Sequence, residues 1–194
     1  MAAHQDHIHG ISWVNSDVVL SGCDKGSLLA HDTRAASVAW STNLSPNGIC
    51  HLGNMCNNLL LSGHTNGEVN VFDIRMRRKL SSHILHSGDV RSVAMWTQNA
   101  VPNSTMDVDT GHLFGLTTSF DGQGSVWKLN AQQLSSGSNT SPADGYDVTK
   151  VARLVGHTDK ILSSVYSHLT HDIITSGADG NVLSWSATNI ASGV

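Results

Sequence analysis

The histidines are the first candidates for chemistry in this sequence, because an imidazole ring can bind a metal ion and can gain or lose a proton near neutral pH. The chain has 12 His among 194 residues, and two groups lie close in sequence: His4, His7 and His9, and His168 with His171. Neither group has the spacing of an HExxH helix or of a paired two-Cys, two-His site. We therefore predict no metal site.

Other patterns that carry catalysis are also missing from the sequence. There is no Gly-x-Ser-x-Gly elbow, no phosphate-binding Gly-Lys-Ser/Thr loop and no dinucleotide-binding fingerprint. The short stretch Gly122-Gln-Gly124 is typical of a turn. We predict that the protein is not an enzyme, needs no cofactor and has no small-molecule substrate.

The composition favours an all-β fold. Only 13% of the residues are charged and 18 are Gly, which suits many short strands joined by tight turns. The formal net charge of −4 does not attract nucleic acid. Cys23, Cys50 and Cys56 form no CxxC pair, and the first residues lack the basic and apolar blocks of a signal peptide. We expect a cytoplasmic or nuclear protein that does not enter a membrane.

Four segments of the chain follow one template. Each begins with Ser or Thr, has a polar residue and Gly four and five places later, and closes with a ring-bearing side chain at the tenth place. Asn-Gly and Asp-Gly pairs at these places predict a hairpin with a two-residue turn and positive φ at both turn residues. The segments are Ser21–Asp32, Ser62–Asp73, Thr117–Lys128 and Thr175–Ser186.

A second shared element precedes each segment and adds two strands to it. A His or Ser is followed four places later by an apolar residue, in the pairs His4/Ile8, Ser45/Ile49, His86/Val90 and His157/Ile161. Alternating stretches before the second, third and fourth copies predict further strands at Ser37–Trp40, Lys79–Ile84 and Val151–Leu154. We predict one domain, 1–194, with repeats at about 4–42, 43–83, 84–154 and 155–190; the last has no strand for its outer edge.

This pattern resembles the WD-repeat family of β-propellers, in which a His near the start, an Asp-Gly turn and a closing Trp recur about every forty residues. The resemblance covers His4 to Ser186. It implies four blades of four strands, the last lacking its outer strand, and a ring that commonly has seven blades. It also implies a non-catalytic scaffold or adaptor whose partners are other proteins, although such blades serve many unrelated complexes.

In this family, the His, the strand Ser or Thr, the turn Asp and the Trp form a hydrogen-bonded relay that stiffens each blade. The resemblance places two complete relays at His86, Thr117, Asp121 and Trp127, and at His157, Thr175, Asp179 and Trp185. The first two repeats depart from it, with Lys25 and His31 in one and Ser45, Asn66 and Phe72 in the other. We expect their relays to be incomplete.

The resemblance also implies a peptide-binding surface at the residues just before the turn Asp or its equivalent. These residues are Asp24, Thr65, Phe120 and Ala178. Phe120 is the only aromatic among them, and an aromatic at a turn tip is either an interface anchor or packed under a neighbouring loop.

The opposite surface carries Arg34 and Arg75, which follow the closing dipeptides of the first two repeats. This placement resembles the Trp-Asp-x-Arg box with which substrate receptors of cullin-RING ubiquitin ligases dock on the ligase adaptor. The run Arg75–Lys79 is alternatively a solvated basic edge. A third hypothesis, a subunit of an RNA- or chromatin-associated assembly, requires a basic patch.

Two long segments, Thr97–Gly111 and Asn130–Asp147, are predicted as insertions in loops of the third repeat. Both would extend the surface that carries the two arginines, or they are tolerated loops without a partner.

Overall fold

Strands are the regular elements in the part of the chain that the structure describes. The computed structural model describes residues 4–35, 37–53, 58–98, 112–131 and 146–187. Within these ranges the strands are β1 (Ile8–Trp13), β2 (Val18–Cys23), β3 (Ser27–Asp32), β4 (Ser37–Asn43), β5 (Ile49–Leu52), β6 (Leu59–His64), β7 (Glu68–Asp73), β8 (Arg78–Ile84), β9 (Val90–Gln98), β10 (His112–Ser119), β11 (Gly124–Ala131), β12 (Tyr146–Leu154), β13 (Ile161–Tyr166), β14 (Asp172–Gly177) and β15 (Val182–Ser186). This part of the chain has no helix with the length and apolarity that a membrane span requires.

The strands form four antiparallel sheets that follow one another along the chain. The first three are β1–β4, β5–β8 and β9–β12, and the fourth contains β13–β15 within the described ranges. Within each sheet, every strand pairs with its neighbour in sequence, including β9 with β10 and β11 with β12 across the two long insertions. The predicted all-β class and the four successive units are confirmed.

The turns between the second and third strands of each sheet differ from the prediction. Positive φ occurs at Gly26, Gly67, Gly122 and Gly180, whereas the residue before each glycine is not in this region. In the second sheet the loop has three residues, and the N–H of Gly67 donates to the carbonyl of His64 at 3.3 Å. A three-residue loop needs positive φ at its last position alone, and glycine adopts it without a steric cost.

Strands of the third sheet extend further than the sequence predicts. The segments Thr97–Gly111 and Asn130–Asp147 were predicted as loops, but Thr97 pairs with Leu113, and Asn130 pairs with Asp147. The extension of β12 packs Tyr146 and Val148 against an apolar cluster that also involves the second sheet, which favours continued strand pairing. The prediction for the remaining residues of the two insertions, 99–111 and 132–145, lies outside the described residues.

Neighbouring sheets pack face to face through three apolar clusters. Leu20 and Leu28 of the first sheet pack with Phe72 of the second, and the other two clusters join the second sheet to the third and the third to the fourth. Among the described residues, no such cluster joins the fourth sheet to the first. The sheets therefore form a stack in chain order, which is consistent with a propeller-like arrangement.

Candidate functional site

The third sheet brings together all four side chains of its predicted relay. His86 lies 3.1 Å from Asp121 through Nδ1 and 2.8 Å from Thr117 Oγ1 through Nε2. A carboxylate only accepts, so Nδ1 carries the proton and Nε2 accepts from the Thr117 hydroxyl. The indole N–H of Trp127 donates to the same oxygen at 3.4 Å. Burial lowers the pKa of His86, which favours the neutral ring that this arrangement needs.

The fourth sheet has the same arrangement, with shorter contacts from His to Asp and from Trp to Thr. His157 Nδ1 lies 2.9 Å from Asp179, and Trp185 Nε1 donates to Thr175 Oγ1 at 3.1 Å. The backbone N–H of Thr158 also donates to Asp179, and this hydrogen bond helps hold the pKa of that carboxyl well below its usual range. The loop that precedes β13 is thus hydrogen-bonded to the turn between β14 and β15 through Asp179.

The first sheet has a shorter chain of contacts. Ser21 Oγ lies 2.7 Å from His4 Nε2 and 2.7 Å from His31 Nε2, so His31 takes the place of the indole. Lys25 stands at the position of the turn Asp, and the buried His4 Nδ1 has no hydrogen-bond partner. A carboxylate is missing from this chain of contacts.

The second sheet contains a different buried network, centred on Glu68. Its carboxylate accepts hydrogen bonds from Ser45 at 2.7 Å and from Ser82 at 2.6 Å. Beside it, His64 Nδ1 donates to the carbonyl of Asn47 at 3.1 Å. Sequence comparison between the repeats missed Glu68 and His64, since neither stands at a relay position; the one available signal was that Glu68 is the only Glu in the chain.

We expect the Glu68 network to make the stability of the protein depend on pH below 4.5. Burial by itself raises the pKa of Glu68, but the hydrogen bonds from Ser82, Ser45 and Asn47 outweigh burial and lower this pKa from 4.5 to about 2. A lowered pKa in the folded state adds stability above pH 4.5 that is lost as the pH falls towards 2. Urea unfolding of the wild type from pH 6 to 2 should show this loss.

The matched variant is Glu68→Gln, which keeps the shape of the side chain and removes the charge. At pH 7 it should be less stable than the wild type by about 1–3 kcal/mol, because a buried donor loses its acceptor. The difference between the two proteins should shrink as the pH approaches 2. A difference that stays constant across this range contradicts the role of the carboxylate.

The four turn-tip residues, Asp24, Thr65, Phe120 and Ala178, occupy equivalent places on one side of the stack. Each donates its backbone N–H to a carbonyl in the loop that enters its own sheet, at 2.8–3.0 Å, as from Phe120 to Asp89 and from Ala178 to Lys160. These bonds fix the backbone of the turns. The side chains at these places therefore form a row along the stack, which we call the turn-tip surface.

Two cations lie over the Phe120 ring. The guanidinium carbon of Arg91 is 4.9 Å from the ring centre, and Lys160 Nζ is 5.1 Å from it. Cations at this distance are attracted to an aromatic face. The half-buried ring lines an open cleft of about 370 Å³ between the third and fourth sheets. The charged residues of its lining are Arg153, Lys160, Asp121 and Asp159. The sequence did not predict Arg91 or Lys160, which come from other parts of the chain.

Asp6, His7 and Asp24 form the group in the described ranges that could hold a metal ion, with ligand atoms within 4.8 Å of one another. Close His–Asp contacts account for much of this proximity, since His7 Nδ1 lies 3.3 Å from Asp6 and 3.4 Å from Asp24. His9 Nε2 lies 2.8 Å from Asp24 as well. The Asp24 end of the turn-tip surface is thus rich in His and Asp, whereas Phe120, in the third sheet, has Arg91 and Lys160 beside its ring.

On the opposite side of the stack, Arg34 and Arg75 are exposed in equivalent turns of the first two sheets. Arg34 Nη2 donates to Asp32 at 2.9 Å, and its hydrogen bonds lower the pKa of Asp32 to about 2. Two residues of the basic run after Arg75 contact the first sheet and the chain that follows it. Arg77 lies over the Trp40 ring at 5.7 Å, and Lys79 donates to the carbonyl of Leu44.

No protein-family model and no curated protein sequence matches this chain. Its fold is similar to that of the computationally designed Ika4 protein, with a TM-score of 0.69 and 17% identity over 96% of this chain and 94% of the other. It is also similar to the designed Ika8 protein, with a TM-score of 0.67 and 17% identity over 94% of this chain. The match covers 46% of Ika8, so this chain spans about half of that length.

Proposed function

We propose that the protein is a non-catalytic WD-repeat scaffold that binds other proteins, in the cytoplasm or the nucleus, through its turn-tip surface. The repeat pattern and the hydrogen-bonded chains from His86 to Trp127 and from His157 to Trp185 support the family. A stack whose turns are fixed by backbone bonds presents side chains in defined positions, which reduces the entropy lost on binding.

The observation that carries this proposal is Phe120, which has Arg91 and Lys160 over its ring at the edge of the cleft. An aromatic side chain in a concave site supplies contact area, and the flanking cations supply charge-assisted hydrogen bonds. A peptide segment with apolar and acidic side chains has the chemistry to fill such a site. The contacts with Arg91 and Lys160 also keep the ring in one position before a partner arrives.

The test is affinity purification of the chain from cells, with mass spectrometry of what is retained. Phe120→Ala should reduce recovery of the direct partner at least about tenfold, as expected for a residue at the centre of an interface. The matched control is Leu169→Ala, since Leu169 is 95% exposed and belongs to a loop on the opposite side of the sheet. Equal recovery with all three proteins contradicts the proposed site.

A more specific function, substrate receptor of a cullin-RING ubiquitin ligase, is favoured by the two exposed arginines in equivalent turns. Arg34 donates to Asp32 from Nε and Nη2, so an adaptor would contact the remaining donors of this exposed guanidinium. An Arg34→Ala/Arg75→Ala double variant in the same purification decides this point. Loss of a cullin-RING adaptor from the double variant alone supports it, and recovery of the same partners by both proteins leaves a general scaffold.

A further inference from the structure

The first sheet has exposed apolar side chains on its outer side, whereas the side chains at the equivalent positions of the other sheets are buried. Ile8 is 51% exposed, whereas Ile49, Val90 and Ile161, at the same place in the other sheets, are each 0% exposed. Ile11 is 71% exposed, against 2% for Val93 at its place in the third sheet. Trp13 is also exposed. We call Ile8, Ile11 and Trp13 the leading face, because in the other sheets this side contacts the preceding sheet.

The fourth sheet likewise has exposed apolar side chains on its outer side. Ile174 is 39% exposed, whereas Leu20, Leu61 and Leu116, its equivalents, are each 0% exposed. Val182 is 70% exposed, against 0% for Leu28. Val165 is exposed on the same sheet. We call Val165, Ile174 and Val182 the trailing face, because in the other sheets Leu20, Leu61 and Leu116 contact the sheet that follows.

The contacts inside the stack show how the two faces complement each other. Ile49 of the second sheet packs against Gly22 of the first, and Val90 of the third packs against Gly63 of the second. The trailing face has a small residue, Ser176, at the place of these glycines, and the leading face has Ile8 at the place of Ile49 and Val90.

The glycine turns support the same pairing. A Cβ atom on Gly26 or Gly67 would overlap the carbonyl of Ser45 or His86, where the next sheet begins. Gly180 of the fourth sheet has no atom within 4 Å of this position. The surface on which a following sheet would pack is therefore unoccupied by the described residues at the trailing end. At the leading end, His4 stands at the place of Ser45 and His86.

We propose that the occupant of both faces is a second copy of this chain, with the leading face of each copy packed against the trailing face of the other. The same polypeptide carries both halves of an interface that the stack already uses three times. Contiguous apolar surface of this kind marks an interaction site, and a head-to-tail contact closes when two copies complete a ring. The two copies together would have about the length of Ika8, of which this chain matches 46%.

The first test is the mass of the purified 194-residue chain in solution, measured by light scattering and sedimentation equilibrium. A mass of two copies is expected, and a monodisperse monomer or an assembly of undefined size overturns the proposal. Ile11→Asp and Val182→Asp should each raise the dissociation constant at least about 100-fold, because each would bury an unpaired charge. Both positions are exposed in the single chain, so the fold should survive, as circular dichroism can verify.

The matched control is Met76→Asp, which places the same charge at a 44% exposed apolar residue in the β7–β8 turn. This variant should keep the mass of two copies. A mixture of Ile11→Asp and Val182→Asp retains one intact leading face and one intact trailing face. Native mass spectrometry should therefore show a mixed pair that neither variant forms alone; its absence contradicts leading-to-trailing contact.

Discussion

Replacing Trp127 by alanine is expected to lower the free energy of unfolding by about 3–5 kcal/mol, the largest loss we predict for a core residue. The indole is 1% exposed and packs in the cluster that joins the third sheet to the second, together with Leu61 and Val93. Removing it leaves a cavity between the two sheets and deprives Thr117 of a donor. Urea unfolding followed by tryptophan fluorescence and circular dichroism gives the difference.

Two further variants test how much of this loss of stability comes from packing of the indole between the sheets. Trp127→Phe keeps a ring, as Phe72 does at the same place in the second sheet, so it should cost about 1–3 kcal/mol for the lost hydrogen bond and the smaller void. Trp185→Ala removes the equivalent indole from the fourth sheet, where it is half-buried, and should cost less than Trp127→Ala. Equal losses for the two alanine variants would show that burial between sheets is not the source of the effect.

Gly67→Ala is expected to destabilise the protein by more than about 3 kcal/mol. Its φ is 81°, and the added Cβ would overlap the carbonyl oxygen of His86. Because that oxygen belongs to the backbone that enters the third sheet, relief requires the two sheets to move apart. The same glycine accepts hydrogen bonds from the N–H groups of Leu85 and His86, which the movement would weaken.

The matched control for this variant is Gly180→Ala. Gly180 has a φ of 78°, nearly that of Gly67, but nothing lies within 4 Å of an added Cβ. In the Val182→Asp background, which we expect to be monomeric, its cost should therefore be the strain of the left-handed backbone alone, about 1–2 kcal/mol. Chemical denaturation of both variants gives the comparison, and similar losses would mean that the contact with His86 does not matter.

The sequence predicted the strands where local pattern determines them. The Gly turns and the alternating residues around them lie within twelve-residue segments, so the hairpins could be identified without knowledge of the rest of the chain. The ends of β9, β11 and β12 were missed because their pairing, such as Asn130 with Asp147, joins residues across a long insertion. The turn type was also wrong, since an Asn-Gly or Asp-Gly pair suits more than one loop length.

The residues of the candidate site also divide into those that local sequence identifies and those that depend on contacts between distant parts of the chain. The spacing from Thr117 to Trp127 is ten residues within one hairpin, so a repeat template could find both. Glu68 could not be identified in this way, because Ser45 and Ser82 reach it from the entry and the last strand of the sheet. Arg91 and Lys160 reach Phe120 from the third sheet and from the entry to the fourth, so their positions depend on how those sheets stack.

The order of the stack has a consequence for how the chain folds. Since apolar contacts join each sheet only to its neighbours within the described ranges, the free energy of folding divides into a contribution from each sheet and a coupling between adjacent ones, as in other linear arrays. Within a single chain, the second and third sheets have two couplings each, and the first and fourth have one until a second copy covers their outer faces. Folding of the single chain therefore nucleates most easily at the centre and propagates outward, and unfolding of the single chain begins by fraying at the ends.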